Sequence, residues 1–457
     1  MKKYAIIALA SLILASCKKQ GVVIDPPVVS EAKDATITLK ITSAANIGTY
    51  ASTSGSHEGT ANEKVIKTLD VFLYNEDASL SPAGYERFSG NDASLNTPKL
   101  IKTKTGPKRI YIGINLPVAL ANQLKDNYQV MQSPYAVNMA ELATANDGLM
   151  MFNQNIASLE VKEGNHAENK VSIPVARLLA KAGILQHKDL SLNINTVGTL
   201  SNLQYTIGQR NKNIFVGHLY DFKDANWTYI SPTLSAAEYA AAFTGVRNTE
   251  YKPVDAKLTA TEDLNTVYIP ENTSEKSEHS QVTYVQIKTK LTPAALEDGA
   301  LPANGTFYVM FGQEGSDRRI YQRYFATKTA ADNAAKETKY WDNATNKKLQ
   351  TAVLTYDNGL CYYRLYLNED QLAGANKVGI FRNTFFKAQI SKFNGLGAPL
   401  EGLVPGGPGT PGNPGGGVVP IGPVDPEGPV NPGNLDASIE AIITIQPWSL
   451  ITSEHEI

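Results

Sequence analysis

The sequence predicts a mainly β protein, in which two β-sandwich domains precede a proline-rich linker and one separate C-terminal strand. Three observations predict this arrangement. Short segments with period-two alternation of apolar and polar residues recur along the chain, helical patterns are few, and proline stands at almost every third position from Pro405 to Pro432. Many short strands with sparse helix favour sandwiches. At 457 residues the chain is long enough for two domains with full cores.

The N-terminus has the pattern of an exported lipoprotein, with residues 1–17 as signal peptide and 18–34 as leader. A basic start is followed by the apolar segment Tyr4–Leu14, which is too short to span a bilayer, and then by small residues before Cys17. We expect Cys17 to be lipidated, which anchors the precursor in the membrane. The alternative is an ordinary secretory signal with an incidental cysteine. Cys361 then has no cysteine partner, so no intramolecular disulfide is expected.

The expected N-terminal domain spans residues 35–185 and begins with the strand 35–41. Four apolar residues alternate on one face of this strand: Ala35, Ile37, Leu39 and Ile41. A polar loop, 43–64, follows. Further strands are predicted at 65–74, 108–115 and 170–175, and a short helix at 118–126.

The expected C-terminal domain spans residues 190–400, after a break near 182–192. Turn residues separate its alternating segments, which predict strands at 282–290, 306–311, 320–325, 360–367 and 384–390. A short helix is predicted at 235–243. The segment 195–260 is irregular and gives only weak strand patterns.

The tail consists of a linker, 401–435, and a final segment, 436–457. Proline at every third position stacks the rings along a stiff polyproline II rod, and Pro405–Pro432 could span on the order of 80 Å. The strand that follows carries alternating apolar residues and ends in Pro-Trp: Ile439, Ala441, Ile443, Ile445 and Trp448. A single strand held away from the body cannot bury its own apolar face. We therefore expect it to pair with another copy of the protein.

The composition gives no sign of catalysis or of nucleic-acid binding. The net charge is −2 and no basic block occurs, so nucleic acid is not an expected partner. The six histidines are scattered without metal-ligand spacing, and nucleophile-elbow, P-loop and EF-hand motifs are lacking. No catalytic residue, metal or cofactor is therefore expected. A surface glycan-binding lipoprotein stays as an alternative to a self-associating one.

Several segments resemble one family, the Bacteroidales type V fimbrillins. The segment Val378–Ile390 with Gly395-Leu-Gly397 resembles the family's V-x-R-N-x-x-Y-x-x-x-I…G-x-G ending, and Val267–Asn272 resembles its Y-x-x-E-N element. Thr283–Lys288 resembles the strand that follows that element, and Val171–Arg177 with Ala180-Lys181 is similar to the closing strand of the family's N-terminal domain. The linker and terminal strand are most similar to those of the shaft subunit of the short (minor) fimbriae of Porphyromonas.

The resemblance implies two transthyretin-like β-sandwich domains and export as an outer-membrane lipoprotein. It also implies that a surface protease of trypsin-like specificity removes the first strand, so that the groove accepts the C-terminal strand of a neighbouring subunit. The displaced strand would be Ala35–Ile41, and the donor residues would be Ile439, Ala441, Ile443 and Ile445. The implied partners are further copies, fimbrial tip and anchor subunits, the protease, and host or bacterial receptors in adhesion and biofilm formation.

The chain departs from the family pattern at the processing site. Family shaft subunits are cut after an arginine in the loop following the first strand, but no arginine precedes Arg87 here. Lys64 is the best remaining basic site. Either cleavage uses Lys64 or another loop residue, or the subunit keeps its first strand and acts as a tip or anchor protein.

Overall fold

The computed structural model describes residues 31–43, 59–90, 92–95, 97–136, 143–144, 148–153, 155–217, 223–227, 241–244, 250–256, 265–274, 283–314, 319–342, 347–348, 351–367, 378–400 and 439–447. Among these residues strands dominate, which confirms the mainly β class. In chain order the strands β1 to β30 are Asp34–Ser43, Thr68–Asn75, Pro82–Ser89, Lys99–Lys104, Gly106–Ile114, Tyr135–Ala136, Ala143–Thr144, Gly148–Leu149, Met151–Asn153, Ala157–Val161, Lys170–Arg177, Leu179–Gln186, Asn193–Ile194, Gly198–Gly208, Arg210–Asn211, Asn213–Ile214, Phe243–Thr244, Lys252–Pro253, Thr266–Pro270, Asn272–Ser274, Tyr284–Pro293, Phe307–Glu314, Arg319–Phe325, Trp341–Asp342, Lys347–Lys348, Thr351–Tyr356, Leu360–Tyr366, Val378–Ile380, Thr384–Phe393 and Ile439–Pro447.

Helices are short. The α-helices α1 to α3 are Asp92–Leu95, Val118–Asp126 and Lys328–Ala334, and the 3-10 helices are Asn62–Lys64, Tyr128–Gln132, Thr338–Tyr340 and Asp357–Gly359. The bounds of α2 agree with the predicted helix 118–126. Its apolar residues Leu120, Ala121 and Leu124 are buried, as their spacing on one helical face requires.

The first part of the chain forms one large sheet with the strand order β3-β2-β5-β9-β11-β1-β4, and β10 pairs with β5. Apolar residues of these strands form a single core together with α2. The predicted strands at 65–74, 108–115 and 170–175 correspond to β2, β5 and β11. Strand β1 lies inside this sheet, between β11 and the edge strand β4.

The described residues of the second part form three further sheets of more than two strands. Their orders are β19-β12-β29-β30, β13-β14-β21-β27 with β18 beside β14, and β23-β22-β26. The apolar residues of the first two sheets, with β22 and β26 of the third, share a second core. The predicted C-terminal strands correspond to β21, β22, β23, β27 and β29.

The change from the first core to the second falls earlier than the sequence suggested. Leu179 belongs to the first core, whereas Ala180 and Ala182 belong to the second. Strand β12 therefore pairs with β19 and β29, although the expected N-terminal domain extended to residue 185. The backbone crosses between the cores without a loop, so no turn signal marks the boundary.

Strand β14 was missed because its alternation is interrupted. Its register against β21 shifts between Ser201 and Gln204, and Asn202 has a positive φ of 53°. A bulge of this kind inserts an extra residue and reverses the face on which later residues lie. Of the predicted helix at 235–243, residues 235–240 lie outside the described residues, and Phe243 begins the short strand β17.

Candidate assembly site

The first strand is held by neighbours on both sides. Its N-terminal half pairs antiparallel with β4 and its C-terminal half pairs parallel with β11. The backbone N–H groups of Thr36 and Thr38 donate to the carbonyls of Gly164 and Asn169 at 3.0 and 2.7 Å. Because β4 is the last strand of the sheet and β1 is its neighbour, removal of β1 would leave a groove between β4 and β11.

The predicted apolar face of β1 is buried in the first core. Ala35, Ile37, Leu39 and Ile41 are 5, 0, 1 and 6% exposed. Burial of the three larger side chains stabilises the fold by about 1.5–3 kcal/mol each. A groove without them would expose apolar surface, and it would favour another strand with the same alternation.

The chain returns to the body at Glu63, which sits in a buried cluster. The Glu63 carboxylate accepts hydrogen bonds from Lys181 Nζ at 2.7 and 2.9 Å and from the Tyr268 hydroxyl at 3.0 Å. Its carbonyl accepts two bonds from the Arg177 guanidinium at 3.2 and 3.3 Å. We call these four residues the junction cluster, because Arg177 ends β11 of the first sheet while Lys181 and Tyr268 lie in β12 and β19 of the second.

Both members of the central ion pair lie in the interior, with side chains 1% (Lys181) and 3% (Glu63) exposed. Burial raises the pKa of Glu63, but the charge and hydrogen bonds of Lys181, together with hydrogen bonds from Thr60 and Tyr268, hold the pKa below its usual value. Burial lowers the pKa of Lys181 to about 8, with Glu63 opposing the change. Both groups are therefore charged at neutral pH. Breaking such a pair costs far more than breaking a surface pair, because one charge stays buried.

The motifs that carry the family resemblance meet beside this cluster. Asn383 donates its backbone N–H to the Leu179 carbonyl at 2.9 Å, and its side-chain oxygen accepts from the backbone N–H of Arg177 at 3.4 Å. Arg382 forms a buried ion pair with Glu271 at 2.5 Å and also donates to the carbonyls of residues 215 and 216. These residues fix the passage of the chain from one core to the other. Arg382, Asn383 and Glu271 lie in motifs that are visible in the sequence. Glu63 was not predicted, because it stands in a Thr-Ala-Asn-Glu-Lys segment with no distinguishing pattern.

Lys64 lies on the body rather than at the end of a free loop. It closes the 3-10 helix Asn62–Lys64 and is half-buried. On one side the Glu63 carbonyl is bound by Arg177, and on the other the Val65 carbonyl accepts from Asn115 Nδ2 at 2.8 Å. The carbonyl groups of both residues next to Lys64 are thus held by hydrogen bonds. Cleavage at Lys64 stays a prediction, but a half-buried residue with hydrogen-bonded neighbours is a poor substrate for a protease.

The C-terminal strand does not extend away from the body, which corrects the expectation of an unpaired strand. Strand β30 pairs antiparallel with β29 at the edge of the second sheet, and Ile439 is buried in the second core. Ala441, Ile443 and Ile445 pair with three buried residues of β29, which are Ile390, Ala388 and Phe386. The exposed Glu440 accepts from Asn394 Nδ2 at 2.6 Å. Strand β30 pairs with β29 of its own chain because the exposed edge of a sheet can hydrogen-bond to any strand of suitable pattern.

The remaining predicted positions add no chemical site. Cys17, Trp448, most of the loop 43–64 and the linker 401–435 lie outside the described residues. Cys361 is buried, Gly397 donates its N–H to the sulfur, and burial raises the pKa of the thiol to about 12. Within the described ranges no group of acidic, histidine or cysteine side chains could hold a metal ion. No helix among those residues is long and apolar enough to cross a membrane.

Comparison with solved structures finds likenesses at low sequence identity. A candidate cell adhesion protein from Parabacteroides distasonis is 12% identical, with 93% of this chain and 98% of that chain covered and a TM-score of 0.48. A fimbrilin (fimA) from Porphyromonas gingivalis W83 is 13% identical, with 92% and 99% covered and a TM-score of 0.46. The tip fimbrial protein Mfa3 from Porphyromonas gingivalis is 10% identical, with 91% and 100% covered and a TM-score of 0.39.

Two family models of fimbrial subunits match the sequence. No curated protein matches the sequence. The family model described as major fimbrial subunit protein (FimA) matches residues 35–201, from the first strand to the start of β14. A second, described as major fimbrial subunit protein type IV, fimbrillin, C-terminal, matches residues 354–454 and includes β29 and β30. Together they cover more than half of the chain, which belongs to the fimbrillin family of structural fimbrial subunits.

Proposed function

We propose that this subunit polymerises by strand exchange: β1 leaves its groove, and the C-terminal strand of a neighbouring subunit takes its place. The observation that carries the proposal is the burial of a four-residue apolar face on a strand next to the sheet's edge. A strand with the same alternation lies at the other end of the chain. A head-to-tail contact of this kind does not close on itself, so it builds an open fibre.

The positions of the two strands supply a driving force for exchange. Strand β30 is the last strand of its sheet, with β29 as its neighbour. In the groove left by β1 it would lie between two strands, β4 and β11. Each additional ladder hydrogen bond contributes about 0.5–1.5 kcal/mol net. On transfer, β30 exchanges its ladder with β29 for a ladder with β4 and part of a ladder with β11, and it also covers the apolar surface that β1 leaves exposed. Ladder pairing and apolar burial together favour the transfer once β1 is gone, and the linker 401–435 provides the necessary length.

The junction cluster supports a processing point before Glu63. Since Glu63 binds Lys181, Arg177 and Tyr268 of the body, we infer that it stays with the body after processing. The cut then lies between Ser43 and Gly59. This connection contains neither arginine nor lysine, so a protease of other than trypsin-like specificity is required.

In the cell we propose the following pathway. The precursor is exported as an outer-membrane lipoprotein with lipid on Cys17, and processing releases a subunit of two domains that enters a surface fimbria. Tip and anchor subunits end the filament, and the filament supports adhesion and biofilm formation. The lipoprotein signal at residues 1–17 and the family membership support this pathway.

Removal of the donor strand tests the proposal. Protein digested within the connection 44–58 should form ladders resistant to mild heating in SDS, whereas the same protein truncated before Asp436 should stay monomeric with both cores folded. Gel electrophoresis and circular dichroism measure the two properties. Because the truncated subunit still offers a groove but no donor, mixing it with full-length protein should shorten the ladders. Ladders formed by the truncated protein alone would show that the C-terminal strand is not the donor.

A second candidate is a tip or anchor protein that keeps its first strand. The lack of any arginine before Arg87 and the burial of the apolar face of β1 favour it. N-terminal sequencing of subunits released from the cell surface separates the candidates. A shaft subunit begins after Ser43, whereas an unprocessed accessory protein begins at Cys17.

A further inference from the structure

The first strand and the C-terminal segment resemble each other residue by residue. Asp34–Ser43 reads DATITLKITS, and Glu440–Ser449 reads EAIITIQPWS. Ala, Ile, Thr and Ser coincide at the second, fourth, fifth and tenth positions. Asp is matched by Glu at the first position and Leu by Ile at the sixth. The likeness holds only when both segments are read in the same direction.

We propose that the incoming strand lies in the groove in the direction of β1 and in this register. Glu440 then takes the place of Asp34, while Ala441, Ile443 and Ile445 take the places of Ala35, Ile37 and Leu39. The inference rests on the proposed strand exchange and deepens it, because it specifies which residues of two subunits meet.

Side-chain volume supports this register over its alternatives. Ala35 is a small residue that is 5% exposed, so the core leaves little room for a larger side chain there. A shift by two residues would place Ile439 at Ala35 and Ala441 at Ile37. The reversed strand centred on Ile443 would place Ile445 at Ala35 and Ala441 at Leu39. Either alternative overpacks one site and leaves a cavity at another.

The acidic residue at the start of each segment also supports this register. Asp34 forms an ion pair with Lys104 at 2.8 Å on the edge strand β4. Glu440 would bring a carboxylate to the same place. On its own chain Glu440 already lies near a lysine, since Lys392 Nζ is 3.6 Å from its carboxylate. The residue therefore exchanges one lysine partner for another when the strand moves.

The match ends where β1 pairs with β11. Pro447 takes the place of Ile41, which lies opposite Ile173. Proline has no N–H to donate, so the ladder to β11 weakens from this position onward. The ladder to β4, which involves residues 34–39 of β1, is unaffected. The edge strand β4 is therefore the better place to read the register.

Cysteine pairs on β4 and the incoming strand test the register. In β1, Thr38 lies opposite Leu100 and Thr36 opposite Lys102, and both β4 residues are exposed. Two full-length double variants, Leu100→Cys with Thr444→Cys and Lys102→Cys with Ile442→Cys, should therefore join neighbouring subunits by disulfides. After processing and oxidation, most of the polymer should run as ladders that survive boiling in SDS and collapse to monomer on reduction. Cys361 is fully buried and contributes little background.

The exchanged pairs are the matched controls. Leu100→Cys with Ile442→Cys and Lys102→Cys with Thr444→Cys should give little cross-linking. Cross-linking of both control pairs would show the reversed direction, and cross-linking of the first control alone would show a shift by two residues; either result overturns the inference. Polymers in which none of the four pairs cross-links would also overturn it. Failure of the unmodified protein to polymerise would instead refute the strand exchange on which it rests.

Discussion

Replacement of Glu63 by alanine should lower the free energy of unfolding by about 3–5 kcal/mol, because Lys181 stays buried without its carboxylate. The pair is nearly inaccessible, and the Glu63 backbone also binds Arg177. Chemical denaturation of the full chain, monitored by circular dichroism, measures the change.

Two further variants test whether the loss of stability comes from the buried ion pair. The exposed ion pair between Lys33 and Glu163 has a similar distance of 2.6 Å, yet Glu163→Ala should cost no more than about 1 kcal/mol because water screens that pair. The double variant Glu63→Leu with Lys181→Met removes both charges and should recover much of the loss. A cost for Glu63→Ala as small as that for Glu163→Ala would show that the junction cluster does not hold the segment.

The place of the cut should decide whether a processed subunit can assemble. One variant receives the recognition sequence of a site-specific protease at Ser52, and another receives it directly after Lys64. Cutting at Ser52 leaves Glu63 on the body, so the junction cluster should stay intact, the melting temperature should stay above that of protein cut after Lys64, and polymers should form. Cutting after Lys64 lets Glu63 leave with β1, which should lower the free energy of unfolding by several kcal/mol and sharply reduce the polymer yield.

Each variant serves as its own control before digestion, since an insertion after Lys64 could disturb the fold by itself. Melting temperature and ladder formation are compared for cut and uncut protein. Equal assembly after both cuts would place the boundary of the retained body after Lys64.

The parts of the fold that follow from local pattern were predictable from the sequence. The alternation in Ala35–Ile41 identified a strand and its buried face, and all four apolar residues are inside the core. The helix Val118–Asp126 was visible from the spacing of its apolar residues. In both cases neighbouring residues alone determine which face is apolar.

The parts that depend on distant partners were not predictable. Glu63 resembles any surface glutamate in sequence, and its burial depends on Lys181 and Tyr268, more than a hundred residues away. The docking of β30 on β29 depends on an edge that only the folded second sheet presents. Strand β14 was not predicted because it contains a bulge, which breaks the alternation of apolar and polar residues.

The central claim is that a strand from a neighbouring subunit occupies the place of β1, and electron cryomicroscopy of assembled filaments tests it most directly. We expect the density between β4 and β11 to fit residues 440–447 and to be continuous with a linker from the adjacent subunit. Density that fits residues 34–43 of the same subunit, in filaments that are nonetheless assembled, would contradict it.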